Sequence, residues 1–164
     1  MLILQGYNTP SLWQDNYLIS WSPSLSRVIS IETTGKERDR LSKAIVAALR
    51  ELAKYPDPDP EVMDLIAFII LALNKIHGSI EGSVVAWEKR DYWVKADRFR
   101  IAWAWTGKIS GKLSTAIFSE DWVTIAQLLA EIGLKLNRVK VSDRHHLGTP
   151  WMGSWAELKK VSGR

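Results

Sequence analysis

The chain has no cysteine in its 164 residues. That excludes disulfides, thiolate nucleophiles, iron–sulfur clusters and cysteine-ligated zinc. Histidine is scarce, with three in all. His145 and His146 follow Asp143 in one loop, and His77 is the third. Adjacent histidines point apart in most backbones, and neither H-x-x-x-H nor H-E-x-x-H spacing occurs, so no metal site is expected. There is no G-x-S-x-G elbow, no P-loop and no G-x-G-x-x-G. With no recognisable catalytic residue and no cofactor motif, the chain reads as non-enzymatic. The first residues, MLILQGYNTPS, lack the basic start, apolar core and cleavage site of a secretory signal. The most apolar run, Val62 to Leu73, contains Asp64 and is too short to span a bilayer. The cytoplasm is the expected compartment, with no membrane partner.

What is present is an ordinary folded composition, 46% hydrophobic and 24% charged. The charge is uneven. Residues 1–86 carry 8 basic and 10 acidic side chains and residues 87–164 carry 14 and 8, which together make the net +4. A basic C-terminal half suggests an anionic partner, first nucleic acid and second an acidic protein surface.

Three segments are expected. Residues 1–35 hold short β-prone runs (Leu2 to Gln5, Tyr17 to Trp21, Arg27 to Glu32) between Gly6, Asn8, Pro10 and Pro23, a hairpin or extended segment. Residues 36–141 follow a helical period. Leu41, Ile45, Leu49 and Leu52 form one stripe that ends near Tyr55-Pro56. Asp59 and Pro60 then mark a helix start, where Asp57, Asp59 and Glu61 read as capping residues rather than cation ligands. The helix that follows is apolar nearly all round, as a central helix must be, and Gly78 or Gly82 is expected to break or bend it. Another helix starts at Ser119, with Trp122, Ile125, Leu129, Ile132 and Leu136 on one face. Residues 142–164 read as a loop and a short terminal helix, with Trp151 on a constrained turn that covers the bundle. The fold class is therefore mainly α, a bundle of about four to five helices with an N-terminal β-prone segment.

The functional signal lies between Ser79 and Lys112. Trp87, Trp93, Trp103 and Trp105 alternate there with Lys89, Arg90, Lys95, Arg98, Arg100, Lys108 and Lys112. Cations set among flat rings can neutralise phosphates and stack on bases. Read as one long helix, positions 80, 84, 87, 91, 94, 98, 101 and 105 form a packing seam interrupted by Asp91 and Arg98, which pair with each other or across to another helix. A second row, Tyr92, Ala96, Phe99 and Trp103, lies roughly opposite and is flanked by Lys89, Trp93 and Arg100. The bland reading is a central helix with neighbours on both sides. The basic flanks favour exposure of the second row, because Lys and Arg are rarely buried unpaired. Tyr92, Trp93, Phe99 and Trp103 are then the rings for stacking or partner docking, and the seven cations are the nucleic-acid ligands. Gly107 and Gly111 are expected to bend or end the helix.

A small, cysteine-free, basic helical chain with the stretch Lys89-Arg90, Lys95, Arg98, Arg100, Lys108 and Lys112 resembles the small subunits of CRISPR effector complexes. The likeness covers about residues 36–141. It implies a non-catalytic subunit of a multi-subunit ribonucleoprotein that holds heteroduplex or displaced single strand, beside larger protein subunits and possibly further copies of itself. The alternative is a helical interaction module that docks a protein partner through an exposed aromatic face.

Overall fold

The computed structural model describes residues 31–143 and 147–163. Five helices occupy them: α1 (Ile31–Leu52), α2 (Pro60–Glu88), α3 (Trp93–Phe118), α4 (Trp122–Lys135) and α5 (Ser154–Val161). No strand occurs among the described residues, and the fold is a mainly α bundle as expected. The β-prone runs at residues 1–30 lie outside the described residues. Ile31 and Glu32, expected in the last of those runs, are helical, so helix onset at Lys36 was set too late. Once a helix is nucleated, each added residue gains a backbone hydrogen bond, and that outweighs a local β preference.

Helix α2 is the spine. Asp59 accepts a hydrogen bond from the Val62 N–H at 2.8 Å, and Pro60 opens the first turn. Glu61 engages the Tyr55 hydroxyl, and this hydrogen bond, ahead of burial, pushes the tyrosine pKa up to about 12. Leu65, Ile66, Ile69, Ile70, Leu73 and Ile76 are essentially inaccessible. The helix is apolar enough over an 18-residue window to cross a membrane by composition, with mean hydropathy 1.5, a longer stretch than Val62 to Leu73. Half of that window is buried inside the bundle, against α1, α3 and α5.

Short connections make successive helices antiparallel. Arg38, early in α1, reaches Ser83, late in α2, at 2.9 Å. Along α2 and α3, Glu88 meets Arg100, His77 meets Gly107 and Asn74 meets Ser110. Helix α5 closes the far end. Asp64 accepts the N–H groups of Gly153 (2.9 Å) and Trp155 (2.8 Å). Trp155 lies 5.2 Å from Phe118, and Trp151 meets the edge of Phe68 at 6.4 Å. The tail tryptophans thus cover the bundle.

Two expectations are corrected. The long helix through residues 80–112 is two helices, turned at residues 89–92. Gly78, Gly82, Gly107 and Gly111 neither break nor end a helix. The turn at 89–92 is a Schellman ending, with Asp91 N–H on Glu88 O (3.0 Å) and Tyr92 N–H on Trp87 O (3.0 Å). The same motif ends α3, with Glu120 N–H on Ile117 O and Asp121 N–H on Ala116 O. The left-handed position that usually takes glycine is Asp91 (φ 61°) in one and Glu120 (φ 55°) in the other. Tertiary closure holds non-glycine residues there, so glycine does not mark where these helices end.

Candidate nucleic-acid interface

A further correction concerns the two faces of α3. The row expected to face outward turns in: Ala96 is buried, and Phe99 and Trp103 pack half-buried on the core. Phe99 lies edge-on to Trp87, centroids 4.7 Å apart at 84°, a pair worth about 1 kcal/mol beyond its buried area. The buried Arg38 guanidinium stacks 4.8 Å over the other partner, Phe99, and burial lowers its pKa. The α3 half of the expected packing seam turns out instead. Val94 is 65% exposed and Ile101 69%. Val94, Arg98, Ile101, Trp105, Lys108 and Lys112 follow one another at steps of four and three, so they share a face about 27 Å long at ~1.5 Å per residue. Trp105 is the half-buried member, stacked near Trp103 at 6.4 Å and 18°.

The corner at residues 89–92 carries the rest. Tyr92 (57% exposed) and Trp93 (59%) project beyond the bundle, and Lys89 and Arg90 are exposed beside them. Asp91, Tyr92, Trp93, Val94, Lys95 and Arg98 line an open cavity of about 480 Å³. Asp91 and Arg98, expected to pair, make no ion pair among the described residues; they share this cavity instead. Helix α3 starts here with no side chain capping it, so its positive dipole end adds to the potential of the corner.

The seven expected cations separate into two groups. Arg100 is held among carboxylates: Glu88 at 3.1 Å, Glu81 at 3.4 Å and Asp97 at 3.9 Å. The hydrogen bond that Arg100 donates to Glu88 leads in raising its pKa. Lys89, Arg90, Arg98, Lys108 and Lys112 are exposed and have no carboxylate partner among the described residues. Lys95 is also exposed, with its ammonium 4.8 Å over the Trp87 ring. The electrostatic yield of the segment is therefore six cations along one corner and one helix face. Sequence reading found these residues but missed the exposed Val94 and Ile101, which it placed in a core seam.

Elsewhere, no cluster of three metal-capable side chains occurs among the described residues. His145 and His146 lie outside them, and Asp143 sits exposed 3.6 Å from Arg50. The candidate site is thus a surface made of rings, apolar patches and cations that have no carboxylate partner among the described residues, on a packed helical hairpin. No protein-family model, no curated protein and no solved structure matches the chain.

Proposed function

We propose that the protein is a non-catalytic nucleic-acid-binding subunit of a larger ribonucleoprotein, gripping the phosphate backbone without regard to sequence. The observation that carries this reading is the set of six cations, Lys89, Arg90, Lys95, Arg98, Lys108 and Lys112, that have no carboxylate partner among the described residues, with the exposed rings of Tyr92 and Trp93 at their corner. Unpaired surface cations in a row release counterions when they meet phosphates, and the rings beside them offer stacking surface. Arg100 is a positioning residue in this reading, since three carboxylates already hold it. Assembly with larger subunits, as in a CRISPR effector, is part of the proposal and calls for co-purification of RNA and protein partners from cells.

The direct test is fluorescence anisotropy of labelled single strands and duplexes. Six phosphate contacts predict that raising salt from about 50 to about 200 mM weakens single-strand binding by roughly 300-fold. The triple reversal Lys89→Glu, Arg90→Glu, Arg98→Glu should abolish binding and leave the far-UV circular dichroism unchanged. Binding that survives the reversal overturns the assignment. A second reading, docking of a protein partner, is favoured by the exposure of Val94 and Ile101. Absence of binding at low salt would turn the assignment to it.

A further inference from the structure

Resting on the nucleic-acid reading above, we infer that the corner cavity takes one unpaired nucleobase bearing an exocyclic amino group, with Asp91 as the group that selects it. The six residues that line the cavity are chemically divided. Tyr92 and Trp93 supply flat apolar surface, more than half of each side chain being open to solvent. Lys95 and Arg98 supply positive charge on the α3 side. Asp91 alone supplies a negative charge, and its carboxylate has no ion-pair partner among the described residues.

This arrangement sorts the parts of a nucleotide. A phosphate is attracted to Lys95 and Arg98 and repelled from Asp91, so it remains on the helix face. A base finds rings to stack on and one anionic acceptor at its edge. Cytosine offers its N4 amino group, adenine N6 and guanine N2, whereas uracil and thymine offer a carbonyl oxygen at the corresponding edge. A carboxylate accepts from an amino group and repels a carbonyl oxygen at the same position, and the one ring donor of uracil, N3–H, lies between two carbonyl oxygens, so Asp91 favours the amino-bearing base among bases that stack alike. In a duplex the ring faces are covered by neighbouring bases and pairing engages one hydrogen of each exocyclic amino group, so the stacking rings of the cavity are reached only by an unpaired base. Asp91 lines the cavity from the left-handed position (φ 61°) of the helix ending, where glycine would be less strained.

The experiment compares twelve-nucleotide oligocytidylate and oligouridylate at pH 7.5 by anisotropy. The two share ring size and backbone and differ at the C4 amino or carbonyl group. The wild-type protein should bind the cytidine strand roughly tenfold more tightly, the size of one good charge-assisted hydrogen bond. Asp91→Asn should bring the ratio close to one with both strands still bound, because asparagine tolerates the left-handed backbone and the fold is retained. Tyr92→Ala with Trp93→Ala should weaken both strands by about tenfold or more. Equal binding of the two strands by the wild type, or a ratio unchanged in Asp91→Asn, overturns the base pocket. In that outcome salt-sensitive binding that is lost in the triple reversal keeps the backbone reading. Duplex binding as tight as either strand also overturns the pocket, and absence of binding to any nucleic acid removes both readings.

Discussion

The two halves of α3 have the same length and opposite surroundings. Between Thr106 and Phe118, six side chains are buried, four of them apolar; between Trp93 and Trp105, only Ala96 is. Helix α4 has 14 residues, about 21 Å, and turns back from residue 121, so it reaches along only the second half. Helix α5 adds Trp155 against Phe118 at that same end. Among the described residues the first half leans on α2, through Ala96, Phe99 and Trp103, with Arg38 reaching across from α1. One helix thus serves as core at one end and as presented surface at the other. Four of the six cations without a carboxylate partner among the described residues (Lys89, Arg90, Lys95 and Arg98), with the exposed Val94 and Ile101, lie where the cover stops; Lys108 and Lys112 lie on the outer face of the covered half.

The largest expected effect separates the two halves by stability. Leu113→Ala, at a fully buried position, should cost about 2–5 kcal/mol in denaturant unfolding. Ile101→Ala should stay within about 0.5 kcal/mol. A large loss at Ile101 would mean that the outer face of α3 is covered after all. Next in size, Asp64→Ala removes the acceptor of two backbone N–H groups and should cost roughly 1–3 kcal/mol. Hydrogen exchange should then quicken in α5 and at the Phe118 end of α3, and leave the corner at 89–92 unchanged.

Smaller effects probe the turns that bound α3. Glu120→Gly relieves a left-handed glutamate and should stabilise by about 1 kcal/mol in thermal unfolding. A loss instead would assign the Glu120 side chain a contact that the geometry does not contain. The smallest effect is the cap of α4. Asp121 accepts hydrogen bonds from the Thr124 hydroxyl and N–H (3.1 Å to the latter), which hold its carboxyl pKa below the ordinary 3.8. A depressed folded pKa stabilises above the unfolded value, and the contribution fades as pH falls through the folded one. The Tm difference between wild type and Asp121→Ala should therefore be constant near neutral pH and shrink below about pH 3.8.

Much of this bundle is legible residue by residue. The Asp59-Pro60 start of α2, its all-round apolar surface and the stripe of α4 lead directly to a helix start, a central helix and a one-sided helix. The candidate residues are also legible as a set, since cations among rings stand out in any chain. Their division was not. The local sequence offers Arg100 only Asp97, three residues before it at 3.9 Å; its closer partners are Glu88 and Glu81, 12 and 19 residues away on α2, whereas Arg98 has no carboxylate partner among the described residues.

By itself the sequence determined that the chain is helical, that α2 is the spine, and that basic and aromatic residues gather between residues 87 and 112. Only the tertiary structure decided where that stretch turns and which of its rows faces water. Both rows of α3 are apolar enough to pack, so periodicity expresses no preference between them. The choice falls to the partners: Trp87 and Arg38 close on Phe99, Ala96 fits beneath, and Val94, Arg98 and Ile101 are left outside. The same closure holds Asp91 in a backbone conformation that its own preferences disfavour.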